Sequence, residues 1–160
     1  MLFRKFYDRD TFITDAFKNP TPFRQGAGTR ATGSNIGRSE ILDVFYRTGS
    51  KGEERSRVLV YANHQPFKDL IDDELLPSNG VGVKYFLKMT DAAHDEQQAQ
   101  QFTLKAFPVS SSDGSSQIWV EGPGFDNDGF EDTGVANWGT ASTTLDWVAD
   151  GGDYYTSYPI

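Results

Sequence analysis

Apolar and polar positions alternate most regularly from Val81 to Met89, where Val81, Val83, Tyr85, Leu87 and Met89 are separated by Gly82, Lys84, Phe86 and Lys88. A period of two predicts a strand with one face toward a core and the other mostly in water. Ile41 to Tyr46 repeats the pattern, with Leu42, Val44 and Tyr46 on one face and Asp43 on the other between Ile41 and Phe45. After a turn from Gly49 to Glu54, the stretch Ser56 to Tyr61 is apolar on both faces, as a central strand is. These two segments predict an antiparallel hairpin. Thr11 to Thr14, β-branched and aromatic between Asp10 and Asp15, predicts an opening strand. Phe102 to Val109 predicts a partner for Val81 to Met89 around a polar tip, and Gln117 to Val120 and Thr144 to Val148 predict further short strands.

Helical spacing occurs once. Between Pro66 and Pro77, Phe67, Leu70, Ile71 and Leu75 follow one face while Lys68, Asp69, Asp72 and Asp73 point away, which predicts a short helix over about 67–76, against the alternative of an irregular acidic loop. Residues 1–9 read as an N-terminal arm. Residues 19–37 hold two X-Pro units and five glycines or serines among charged residues, and predict a long surface loop. Short strands separated by turn signals, with no long helix and no internal repeat, predict an all-β fold, an antiparallel β-sandwich or jelly-roll-like domain spanning 1–160.

Composition narrows the partners. A chain of 160 residues closes one two-layer core, and 14% aromatic residues supply it despite low hydropathy. The formal net charge of -8 repels phosphate backbones, so nucleic acid is not an expected partner; Arg24, Arg30 and Arg38 form the one candidate basic patch. The opening MLFRKFYDRD has no apolar stretch behind its basic residues, so neither an export signal nor a membrane anchor is expected. The chain has no Cys, which removes disulfides, thiolate nucleophiles and Cys-ligated metals.

The motifs occur in a definite order: DTFIT, SNIGRSEILDVF, RSRVLVYAN, VKYFLKM, FTLKAFPV, then W-V-E-G-P-G and A-N-W-x-x-A. This order resembles the DNRLRE domain, the β-sandwich module related to a region of disaggregatase. Asp10, Thr11 and Ile13 match its first strand, Asn35 and Gly37 its asparagine-glycine segment, and Arg57, Leu59 and Val60 its arginine-bearing strand. Trp119, Glu121, Gly122, Gly124, Trp138 and Ala141 match its signature loop. Two departures stand out. The family pattern continues past a G-G-D-Y turn, here Gly151 to Tyr154, whereas this chain stops at Ile160, so either a partner completes the sheet or the sequence ends inside the domain. Members are also usually exported, whereas domains of this kind in tailed-bacteriophage virions need neither signal nor disulfides.

The candidate chemistry sits in that loop. Asp126, Asp128, Glu131 and Asp132 begin like an oxygen-ligand calcium loop but lack the closing glutamate and flanking helices; the simpler reading is a solvated loop whose acids cap turns, so calcium is the one cofactor candidate and no other is expected. Glu121 with one of those aspartates is a candidate glycosidase pair, against the simpler reading that Glu121 accepts amide hydrogens from its own glycine loop. His64 and His94 lack any zinc pattern, and Gly28 to Ser34 lacks the lysine of a phosphate-binding loop. Trp119 and Trp138 read as packing anchors, and Tyr154, Tyr155 and Tyr158 as candidate contacts for a partner or a glycan. The expected function is a non-enzymatic structural or docking component of a tailed-phage virion, an adaptor, fibre-base or decoration protein that oligomerises with other virion proteins. The alternative is a carbohydrate-binding module for host or matrix polysaccharide.

Overall fold

The computed structural model describes residues 4, 6–18, 28–49, 51–79, 81, 84, 86, 88, 104–106, 109, 119–125, 134–142 and 145–147. The chain divides into two compact units, one formed by Met1–Asp8 with Tyr61–Phe102 and the other by Arg9–Val60 with Thr103–Ile160. The described elements are short strands and one short helix.

The larger unit holds the core. Strand β1 (Arg9–Thr14) extends the predicted opening strand by two residues, and its last four residues are buried. Strands β2 (Tyr46–Gly49) and β3 (Gly52–Tyr61) form an antiparallel hairpin in the register Tyr46↔Arg55 to Gly49↔Gly52. The sheet order is β1-β3-β2, so β3 is central, as its apolar run predicts. The Asp15 amide bonds to the Arg55 carbonyl beyond the end of β1. β4 (Thr140–Ser142) and β5 (Leu145–Asp146) pair antiparallel in a second, two-stranded sheet.

The hairpin is displaced from its predicted position. Residues 42–45 are not strand, and the paired segment begins at Tyr46, where the alternating run ends. Ser56 alters the pairing there: its amide still donates to the Phe45 carbonyl at 3.0 Å, but its hydroxyl takes the returning Phe45 amide at 2.8 Å and donates to the Asp43 carbonyl at 2.6 Å, so a side chain replaces one ladder bond. The expected apolar face is correspondingly open, with Val44 50% and Tyr46 65% exposed.

Residues 19–37 also depart from expectation. From Ala31 onward the predicted surface loop turns inward, and Ala31, Ser34, Asn35, Ile36 and Gly37 are buried. Backbone bonds from Lys18 to Thr29 and from Ala31 to Ala16 tie this stretch to the chain just after β1. The polar composition that suggested solvent serves internal hydrogen bonding instead. Among the described residues, Ile36 and Ala31 join Phe12, Ile13, Ala16, Leu59, Trp119, Val135, Ala136, Trp138, Ala141 and Trp147 in the apolar core.

In the smaller unit the helix α1 runs Gln65–Asp72, earlier than the predicted 67–76, with Pro66 in its first turn, where a missing N–H costs nothing. It stops because Glu74 takes a positive φ of 59° and the amides of Leu75 and Leu76 turn back to the Leu70 carbonyl. Lys68 and Asp72 pair along it at 2.7 Å. No described residue of this unit is buried. The regular run 81–89 is not the strand its alternation predicts at the residues described: Val81 lies in a turn, 70% exposed, Lys84, Phe86 and Lys88 are unpaired coil, and the rest of the run lies outside the described residues. Among the described residues no helix is long and apolar enough to cross a membrane.

Candidate functional site

The two halves of the sequence signature meet at Asn35. Its side chain is completely buried and all four of its hydrogen-bonding positions are used. Nδ2 donates to the Glu121 carbonyl at 2.7 Å and to the Ala136 carbonyl at 3.0 Å. Oδ1 accepts from the Gly124 amide at 2.7 Å and from the Gly37 amide at 3.4 Å. One amide group thereby holds three separated pieces of chain at one point.

The glycines around it are required by space. Gly122 has φ +77°, and a β-carbon there would lie 2.6 Å from both Nδ2 and Oδ1 of Asn35. A β-carbon on Gly124 would collide with the Asn35 carbonyl, and one on Gly37 with the Glu121 carbonyl. The Arg38 amide bonds to the Gly124 carbonyl at 2.7 Å and completes the junction.

Glu121 departs from the reading in which its own loop supplies its partners. Its Oε1 accepts the amide hydrogen of Asp10, in β1, at 3.1 Å. Burial, and then the negative charge of Glu121, push the Asp10 carboxyl above the usual aspartate range. Next to it, Arg9 donates to the Trp119 carbonyl at 3.0 Å with its guanidinium 5.3 Å from the centre of the Trp119 ring. Trp119 and Trp138 are each 3% exposed, which leaves neither face free for a flat ligand.

Trp138 is covered by cations. The guanidinium groups of Arg55 and Arg57, two residues apart on β3, lie 5.5 and 5.3 Å from its ring centre. Arg55 is fixed from below by buried Asp15, whose Oδ2 receives Nε at 3.2 Å and Nη2 at 3.0 Å, while Oδ1 receives the Arg55 amide at 2.6 Å. Arg30 joins from the neighbouring segment, donating from Nη1 to the carbonyls of Asp15 at 2.8 Å and Glu53 at 2.9 Å. Its guanidinium also lies 4.5 Å from the ring centre of Phe17. Glu54 accepts the Phe17 amide and pairs with Arg47, and the Phe17 amide is the larger cause holding its carboxyl below the usual range.

The Asp15, Arg30 and Arg55 cluster is the arrangement that no motif announces. Asp15 follows the first strand, Arg55 and Arg57 alternate in β3, and Arg30 lies in the predicted loop; only folding brings them together. Of the candidates from sequence, Asp126, Asp128, Glu131, Asp132, Tyr154, Tyr155, Tyr158 and His94 lie outside the described residues. His64 is exposed and precedes the first turn of α1. Among the described residues no group of three or more His, Asp or Glu side chains is placed to hold a metal ion.

No family model, curated protein or solved structure matches the chain.

Proposed function

We propose that the chain is a non-enzymatic docking component of a tailed-phage virion, a DNRLRE-like β-sandwich or jelly-roll module that binds other virion proteins. The observation that carries the reading is the free edge of β2. Among the described residues it pairs on one side only, with β3; all four of its residues are exposed, and exposed Val44 and Tyr46 lie at its start. An open edge of this kind is a template for strand addition from another chain. The signature loop supports an architectural role as well, since Asn35, Gly122 and Gly124 are occupied with one another and Glu121 with β1. Sedimentation of the purified chain, alone and with particle extract, tests it. Self-association or stable binding to a particle protein is expected, and a cooperatively unfolding monomer that binds no particle component overturns the reading.

A further inference from the structure

Asp15, Arg30, Thr32, Glu53, Arg55 and Trp138 line an open recess of about 500 Å³. Its cations are held in place yet not exhausted. Both guanidinium groups reach the same oxygen, Asp15 Oδ2, Arg55 at 3.0 Å and Arg30 at 3.6 Å, and their side chains remain 46% and 36% exposed. Toward described residues Arg30 donates from Nη1 alone, and the Arg55 side chain from Nε and Nη2. Among the described residues, Nε and Nη2 of Arg30 and Nη1 of Arg55 therefore carry N–H groups with no acceptor.

We infer that this recess receives a single carboxylate presented by an acidic side chain of a partner protein. Guanidinium groups match a planar carboxylate with parallel N–H donors, and anchoring by Asp15 means that little side-chain freedom is lost on binding. Arg30 and Arg55 balance Asp15 and Glu53 in the lining, so the selection for a carboxylate comes from the unused Nε and Nη2 donors of Arg30 and Nη1 of Arg55 rather than from surplus charge. Glu53 at the wall disfavours phosphate or a run of acids. The net charge of -8 sets the same limit at long range, because it repels a polyanionic chain but not one carboxylate on a neutral or basic protein surface. The Thr32 side chain in the same wall adds a hydroxyl for neighbouring polar groups of the partner.

This assignment rests on the docking reading and names a site for it. The test follows the side-chain Nε–Hε resonance of Arg30 in the labelled full chain during titration with acetyl-Lys-Glu-Lys-amide. A saturable shift is expected, with binding about tenfold weaker for acetyl-Lys-Gln-Lys-amide, the loss of a charge-assisted contact. Arg30→Gln is expected to show the same loss; the two-peptide comparison decides the matter if that variant fails to fold. Methyl glucuronide forms a second arm. Equal binding of both peptides, no shift with either, or a response to the glucuronide alone each overturns the assignment. Should the peptides fail while the chain still binds particle proteins in sedimentation, the recess assignment falls and the docking reading stands.

Discussion

Asn35 accepts, through Oδ1, the amide hydrogen of Gly124 at 2.7 Å, across 89 residues of sequence. The same side chain donates to the carbonyls of Glu121 and Ala136, so removing it strands buried polar groups on both sides. Each such orphaned group costs about 1–3 kcal/mol. Asn35→Ala is expected to destabilise the larger unit by roughly 3–5 kcal/mol, at the severe end for a single substitution. Asn35→Asp, equal in size but without the two donors, is expected to be nearly as damaging. Urea unfolding with an unchanged midpoint in either variant would contradict the junction described above.

Glycine substitutions separate space from composition. Gly122→Ala meets both a positive φ and the Asn35 amide at 2.6 Å, and Gly124→Ala drives a methyl into the Asn35 carbonyl. Losses of about 2 kcal/mol or more are expected for each. A β-carbon on Gly33 meets nothing within 4 Å, so Gly33→Ala is expected to be near neutral. Thermal melts of the three variants side by side test the ranking.

Two carboxylates are expected to give pH effects of opposite sign. Asp10 has a raised pKa in the folded chain, because of burial and then Glu121, so its favourable contribution is present in acid and is lost as pH rises through the folded pKa. Asp10→Asn is therefore expected to stabilise at neutral pH, by less than about 1 kcal/mol because the site is partly wet, with the gain vanishing below the ordinary aspartate pKa of about 3.9. Glu54 has a lowered pKa, from the Phe17 amide first and Arg47 after it, so its contribution is present above the ordinary glutamate range and lost as pH falls through the folded pKa. Glu54→Gln is expected to destabilise at neutral pH and to converge on the parent in acid. Unfolding midpoints from pH 3 to pH 7 that move in the same direction for both variants would rule this assignment out.

The strands were legible in the sequence where local propensity and long-range packing agree, and illegible where a side chain rewrites the ladder. Thr11 to Thr14 is buried strand, as β-branching between two acids predicts. The hairpin of β2 and β3 was also visible, but its register depends on the Ser56 hydroxyl, which alternation does not weigh. The buried half of residues 19–37 was hidden because Ser, Thr, Asn and Gly read as solvent-facing until Asn35 is seen to meet Gly124. The motif order singled out Asn35 in its asparagine-glycine segment and Glu121 with the glycines in the signature loop, without showing that the two meet, whereas the Asp15, Arg30 and Arg55 cluster has no spacing that reveals it. Strand pairing creates it, and pairing is nonlocal.

The edge of β2 gives the most direct test of docking. Phe45 accepts the Ser56 amide at 3.0 Å, so Phe45 faces β3, and the alternation of an antiparallel ladder then turns Arg47 toward β3 and the amides of Tyr46 and Thr48 toward the free edge. A proline at 48 removes an outward N–H without touching the bonds between β2 and β3, a position where edge strands tolerate proline. Thr48→Pro is expected to change unfolding free energy by less than about 1 kcal/mol while abolishing association measured by sedimentation velocity. Arg47→Pro, which loses an inward bond and the pairing of Arg47 with Glu54, is expected to destabilise the hairpin instead. If Thr48→Pro folds and still associates as the parent does, the partner does not add a strand at β2, and docking must use another surface.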